Sequence, residues 1–440
     1  MKNNFTQCTL KDIASNEKGS IISGPFGSNI SSKFFQESGV PVIRGNNLSN
    51  SCIKFIDNGF AYLTEEKADE LNAYAIKDDL LFTAAGTIGQ VGIIEENTKF
   101  EKYVISNKQL RVRLNIEKIN PLYAYYWFSS PWMVKDIVNK NTGSTVPLIN
   151  LGIIKTLEIK IPKERVIQDK IVSVLSALDS KIELNNRINT ELEAMAKMLY
   201  DYWFVQFDFP FDFAQGKPDK DGKPYKTSGG KMVWNEELKR DIPNGWKVDN
   251  LGKVVQIIRG ASPRPIDDYL SKSGIPWLKI SDATATNNRF ITTTKQFIIE
   301  EGVSKSRPVK PNTLILSNSA TPAIPRIMKI NACVHDGWLI INDYTAGLTQ
   351  EFMFHYFEYE RPRIICLGNG SIFQNLKTDY IKNLKIILPP ESVLNKLTPQ
   401  FKTISEKIYL KTIENQTLAE LRDWLLPMLM NGQVQVIPGN

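Results

Sequence analysis

Two stretches of the chain carry apolar residues at alternating spacings of three and four. In the first, Ile171, Leu175, Leu178 and Ile182 are followed, after a polar gap, by Leu192, Met195 and Leu199. In the second, Leu397, Phe401, Ile404 and Ile408 repeat the first set, and Leu418, Leu421 and Leu425 repeat the last. The gap is ten positions in both, from 182 to 192 and from 408 to 418. This spacing predicts two long helices, each with one narrow apolar stripe, as in coiled coils. A helix of about 40 residues would be ~60 Å long, and so narrow a stripe needs a partner helix along its length. The polar middles, ELNNRINTE at 183–191 and YLKTIENQT at 409–417, interrupt both stripes at the same place. A polar residue in a seam fixes register and partner choice; a solvated face, or a loop splitting each helix, would give the same pattern.

Outside these stretches the pattern changes to short Val/Ile/Leu runs punctuated by Gly, Pro, Asn and Ser, which predicts β-rich domains. These domains are also duplicated. TGSTVPLINLGIIKTLEIKIP ends at Pro162 and NGSIFQNLKTDYIKNLKIILP ends at Pro389; Ser144 matches Ser371, Ile154 matches Ile381, and Leu157 matches Leu384 without a gap. SGVPVIRGNN at 38–47 resembles SGIPWLKISD at 273–282, and IKDDLLFTAAG at 76–86 resembles VKPNTLILSNS at 309–319. A chain of two similar halves commonly binds something that itself has two similar halves. The expected fold class is α+β. Residues 1–162 form a first β-rich domain, 163–206 a spacer helix, 207–245 a linker or hairpin rich in Gly, Pro, Asp and Lys, 246–389 a second β-rich domain, and 390–432 a second helix. If the helices pair antiparallel, the two β-rich domains are related by a pseudo-twofold axis, the geometry that places two readers on the strands of a duplex. The aromatics from Tyr200 to Phe213 are expected to pin the helix end to a neighbouring domain. The aromatic runs at 122–128 and 351–359 can be read as core or as stacking platforms for bases.

The 440 residues allow two or three domains, and 42% hydrophobic with 23% charged residues excludes global disorder. No run approaches the ~18 apolar residues of a membrane span. The first residues lack a signal-peptide core, so a cytoplasmic location is expected. Cys8, Cys52, Cys333 and Cys366 are scattered, as reduced buried thiols would be. A net charge of +7 and a pI near 8.9 favour an anionic partner.

Catalytic chemistry is missing. There is no HExxH, GxSxG or zinc-deaminase pattern, and only two histidines, His335 and His355. GKPDKDGK at 216–223 has one residue too many for a phosphate loop, and Pro224 stands where a Ser or Thr should follow. Glu158 and Lys160 form a nuclease-like Glu-x-Lys, but their counterparts are Lys385 and Ile387, so an alternating strand with outward charges explains them better. No catalytic residue, metal ligand or cofactor is assigned. Polar loops recur instead at matching places in both halves. Arg and Lys can pair with guanine, Asn and Gln with adenine, and Ser, Thr and turn amides with phosphate. The candidate DNA contacts are Lys33, Arg44, Asn46, Asn47, Thr87, Gln90, Lys140, Asn141, Ser144 and Thr145 in the first half. In the second they are Arg259, Arg264, Lys279, Asn318, Ser319, Arg326, Asn369, Ser371 and Gln374.

The paired GS…IP segments, the stretch from ILPPESVLNKL to NGQV, and the central YDYWFVQFDFP…GKPYKTSGGKMVWNEELKRDIPNGWKV together resemble the DNA-specificity (S) subunit of type I restriction–modification systems. The resemblance covers essentially the whole chain. It implies two target-recognition domains, each reading one half of a bipartite, asymmetric site on double-stranded DNA. It also implies helices that act as a ruler for the gap and dock two modification (M) subunits, which carry S-adenosylmethionine and methylate adenine by base flipping. Restriction (R) subunits with ATP-dependent activity would complete the complex, and no membrane is involved. The competing reading is a tandem-domain scaffold for protein assembly that binds no DNA.

Overall fold

The computed structural model describes residues 5–49, 53–284, 288–368, 376–434 and 436. The fold is α+β and divides into two compact units, Met1–Glu183 with Asn415–Asn440, and Leu184–Glu414. A central helix spans Arg165–Tyr200 and a distal helix spans Glu391–Met430. Each unit therefore contains the first part of one helix and the last part of the other.

In the first unit, Phe5–Thr9 pairs antiparallel with Glu158–Pro162, closing the domain where it meets the central helix. One four-stranded sheet runs in the order Ile21–Ser23, Gln109–Val112, Leu80–Thr83, Val91–Ile93; the other runs Ala61–Leu63, Val40–Ile43, Lys102–Ile105, Tyr74–Ile76. The second unit repeats the plan. Lys247–Asn250 pairs with Lys385–Leu388. Gln256–Arg259, Trp338–Asn342, Leu314–Ser317 and Pro325–Met328 match the first sheet, with Phe290–Ile291 added at the edge. Leu270–Ser271, Gln296–Ile298, Ile275–Leu278, Ala332–Val334 and Arg307–Val309 form the other sheet. The matching sheets each hold one parallel pair, with Val42 opposite Val104 and Trp277 opposite Cys333, and the added edge strand is also parallel to its neighbour, with Phe290 opposite Ile327. These central strands are buried on both faces, which is why they read as continuous apolar runs and not as alternations.

The aromatic runs belong to the core. Asn120 caps the helix Pro121–Phe128 by accepting the Leu122 and Tyr123 N–H groups, and Tyr123 to Phe128 are buried. Phe352 to Phe354 and Phe357 are buried in the helix Gln350–Gly368. Glu158 and Lys160 lie on the edge pair, where Glu158 accepts from Gln7 Nε2 at 2.7 Å and Lys160 lies over the Phe5 ring. The 207–245 segment folds into two small antiparallel sheets. Its Phe207, Phe209 and Tyr225 join Tyr200, Trp203 and Phe204 in the core of the second unit, with Phe209 stacked on Tyr225 at 4.8 Å. Cys333 is buried, Cys8 half-buried and Cys366 exposed; Cys52 lies outside the described residues.

Both helices continue unbroken through their polar middles, which removes the splitting loop. Ile171 and Leu175 are buried in the first unit, and Leu178 and Ile182 are half-buried. Leu397, Phe401, Ile404 and Ile408 are buried in the second unit. Leu192 and Leu199 pack half-buried against that core, and Leu425 packs the same way in the first unit, where Leu418 is also half-buried. Met195 and Leu421 depart from the expected stripe, being 51% and 41% exposed. Ala196 and Arg422 are buried in their place, the same one-residue displacement in both copies. An α-helix drifts against a 3.5-residue repeat, so a stripe continued across a ten-residue gap emerges one position later. The stripe passes through the polar middle: Asn185 is fully buried and donates to Glu414 Oε2 at 3.1 Å. In the first unit the helices run antiparallel, and Arg422 donates to Asp179 at 3.0 Å while Asp179 also accepts from Tyr126 Oη at 2.6 Å.

His355 is buried in the second unit between the rings of Tyr200, Phe354 and Phe401. Burial holds its pKa below the ordinary value, against the pull of Glu358. The folded state therefore favours neutral imidazole, so its stability contribution is full above about pH 6.5 and is lost as pH falls through the lower folded value. Thermal unfolding followed from pH 7.5 to 5 should show a falling midpoint that is flatter in His355→Phe. Equal slopes in the two proteins would refute the assignment.

Candidate nucleic-acid interface

In each unit a short turn passes from one sheet to the other at residues 106–108 in the first and 335–337 in the second. The backbone bonds around it correspond one for one. Ser106 N donates to Ile43 O at 2.9 Å, and His335 N to Leu278 O at 3.1 Å. Gly24 N donates to Gln109 O at 2.9 Å, and Gly260 N to Trp338 O at 2.8 Å. Ala84 N donates to Lys108 O, and Asn318 N to Gly337 O, both at 2.8 Å. Ile149 N donates to Ala84 O at 2.8 Å, and Leu376 N to Asn318 O at 2.7 Å. Gly24 and Gly260 allow this closeness: a Cβ on either would collide with the backbone carbonyl of Ser106 or His335. Four chain segments thus converge in each unit on the same backbone frame.

The side chains on that frame differ. In the first unit Arg44, Thr87, Gln90, Asn107 and Lys108 line a cleft of about 460 Å³. Arg44, half-buried in the wall of this cleft, donates from Nη2 to Gly59 O at 3.2 Å. Gln90 lies between Thr83 Oγ1 and Leu48 O, at 2.8 and 3.0 Å. In the second unit Lys279 takes the place of Arg44 and lies over the Trp277 ring. Asp336 is the hub there. Its carbonyl accepts from Arg259 Nε at 2.9 Å, and its carboxylate accepts from Ser262 Oγ at 2.7 Å and faces Arg264 at 3.8 Å. Burial opposes its ionisation, but Ser262, His335 and Arg264 outweigh it and hold the carboxyl below its ordinary range. Burial likewise keeps His335 below its ordinary value, with Lys279, Arg264 and Arg259 adding to that effect against Asp336. The result is an exposed cationic cluster organised by one anion.

The structure sorts the remaining candidates. Asn47 is fully buried: its side chain accepts from Arg44 N at 2.9 Å and donates to Ile56 O and Asn58 O. Asp282 does the same for Lys279 N at 3.0 Å, so both are caps of the loop. Asn46 is exposed beside Gly59. Asn318 is fully buried behind Ser319, and Arg326 is buried with bonds to Pro325 O and Ala283 O. Lys33 is exposed beside Phe34. Lys140 is paired with Asp136 at 2.6 Å, and Asn141 shapes its own loop by accepting from Gly143 N and Leu148 N. Ser144 and Thr145 are exposed on that loop, which is tied to the frame by Gly86 N donating to Pro147 O. Asn369, Ser371 and Gln374 lie outside the described residues. Asn107, Lys108, His335 and Asp336 are absent from the candidates, and so is Ser262, although its loop at 259–265 supplies Arg259 and Arg264. The signal of the first four is a short polar or glycine-containing turn between two apolar runs, in VISNKQL and CVHDGWL, a pattern indistinguishable from an ordinary hairpin.

Among the described residues no group of His, Cys, Asp or Glu could hold a metal ion, and no helix is long and apolar enough to cross a membrane. The family model of the type I restriction modification DNA specificity domain matches residues 3–194 and 243–421. The chain is 25% identical over 404 residues to the type I restriction enzyme MjaIX specificity subunit of Methanocaldococcus jannaschii, covering 90% of this chain and 87% of that one. It is 24% identical over 381 residues to the HindI specificity subunit of Haemophilus influenzae, covering 76% and 82%. The crystal structure of a type I restriction–modification S subunit from M. genitalium aligns with a TM-score of 0.57 at 14% identity over 97% of this chain and 96% of that one, a likeness of fold. Two copies of one frame, matched by the family model in both halves, make this chain a member of the type I restriction–modification DNA specificity family.

Proposed function

We propose that each unit reads one half of a bipartite, asymmetric DNA site through the residues on its frame. The observation that carries this reading is the frame itself, with backbone bonds repeated in both units and different side chains set on it. Identical backbones position two readers alike, and unlike side chains give them different targets. In the first unit Arg44, Thr87, Gln90 and Lys108 face DNA, with Lys33, Asn46, Ser144 and Thr145 at the periphery. In the second, Arg259, Arg264, Lys279 and Ser319 do so. Asn47, Asn318 and Arg326 support the frame and touch no base. The continuous helices set the gap between half-sites and dock two M subunits through surface that includes Met195 and Leu421, both exposed on the helices. This chain supplies recognition; adenine methylation and ATP-dependent cleavage belong to the M and R subunits, and the complex works in the cytoplasm.

Methylome sequencing of a host expressing the chain with its M subunits tests the reading. Methylation is expected in two unlike half-sites at a fixed separation, and replacing residues 1–162 with another recognition domain should change one half-site only. Movement of both half-sites would refute modular reading. Retention of DNA that is absent, or insensitive to salt, would favour the protein scaffold.

A further inference from the structure

We propose that Phe26 is a wedge that the first unit inserts between neighbouring base pairs of its half-site, and that the matching residue of the second unit, Ser262, is not one. The proposal rests on the DNA-reading function above and adds a way of sensing sequence that needs no bond to a base edge.

Phe26 is 84% exposed, the most exposed of the large apolar side chains among the described residues. The turn that carries it is built to keep it there. Gly24 lies against the Ser106 carbonyl, where no side chain fits, and Pro25 fixes the next backbone angle. Gly27 is laid against the Asn107 amide; a Cβ there would meet Nδ2 at 3.1 Å. Asn29 N donates to Phe26 O at 2.8 Å, and the buried Ile30 anchors the end of the turn. The turn that carries the ring therefore borders the cleft that Arg44, Asn107 and Lys108 line, with Ile30 in its wall and Gly27 against Asn107.

An apolar ring beside two cations suits a nucleic acid better than a protein pocket. Cations reach phosphates on either side while a ring enters the base stack, and neither must lose solvation without compensation. An apolar pocket in a partner protein would have to bury Arg44 and Lys108 at its edge, an unfavourable desolvation. In the second unit the residue two beyond the frame glycine is Ser262, and its hydroxyl is committed to Asp336. At this position the two readers thus differ in kind, an exposed ring against a bonded hydroxyl. Because pyrimidine–purine steps unstack most readily, Phe26 would make the first unit prefer such a step at one position.

The test uses the complex of this chain with its M subunits on its methylated target sequence. 2-Aminopurine is placed at successive steps of the first half-site, away from the adenine that is methylated. The wild-type complex should raise fluorescence at one step. Phe26→Ala and Phe26→Ser should abolish that rise and weaken binding roughly tenfold, the effect of losing one stacked base, while Phe26→Leu, another apolar wedge, restores both. Unchanged fluorescence and affinity in Phe26→Ala would overturn the wedge. So would a variant that assembles poorly with M subunits yet gives the normal signal in each assembled complex, which would make Phe26 a protein contact. A wild-type complex that retains DNA without sequence preference would overturn the DNA-reading function, and the wedge with it.

Discussion

A chain ending at Glu414 should lose the fold of its N-terminal unit while keeping that of the second. Residues 415–440 belong to the first unit, where Leu426, Leu429 and Met430 are buried in the core with Leu10, Tyr123 and Leu175. Each large-to-small truncation of such a residue costs about 2–5 kcal/mol, and the deletion removes all three at once. It also removes Arg422, leaving Asp179 nearly buried with its cation gone, a loss of about 3–5 kcal/mol by itself. Added together these losses come to about 9–20 kcal/mol, the same order as the ~5–15 kcal/mol that holds an ordinary domain together. Hydrogen exchange is the direct measurement. Protection should vanish in the strands Leu80–Thr83 and Gln109–Val112 and persist in Leu314–Ser317 and Trp338–Asn342. Protected first-unit strands in the truncated chain would show that the distal helix is an ornament there.

Gly24→Ala is expected to abolish recognition of the first half-site and to leave the second intact, with Gly260→Ala giving the converse. The added methyl falls on a backbone carbonyl in both cases, Ser106 O or His335 O, so the neighbour cannot rotate away. The strand end must move instead, at about 1–3 kcal/mol or more, and it carries the turn at 106–108 or 335–337 with it. The unit should still fold, because its core lies elsewhere, but the convergence of segments on the frame is lost. Footprinting each half-site with the two variants separates the outcomes. Equal loss at both half-sites would mean that the frame is not an independent reader.

Much of the architecture was legible. The repeat could be seen because geometry needs the same residues twice: the apolar stripes, the GS…IP closures and the apolar strand runs all survive in both halves. The detailed site was far less legible, and Asn47 shows why. An asparagine beside an arginine in a polar loop matches the pattern of a base reader, but here it caps the loop, and only its counterpart Asp282 betrays that role. Asn318 has the residue type of an adenine reader and is buried behind the frame. Lys108 and Asp336 do not stand out in the sequence because strand-connecting turns attract polar residues whether or not they bind anything. Met195 and Leu421 lie off the buried stripe for a different reason. A strict three–four count cannot follow the drift of a real helix across ten polar positions, so the buried residues are Ala196 and Arg422.

The exchange of helix ends between units has a consequence for the chain as it is made. Domains usually fold in the order in which they leave the ribosome. Here the first domain to be synthesised is the last that can be completed, because part of its core is encoded more than 240 residues later, at Leu426 to Met430. The second unit, contained within Leu184–Glu414, has all its parts earlier. A nascent chain therefore carries an unfinished first unit until Leu426 to Met430 have been made, and a stop before them spoils a domain synthesised long before.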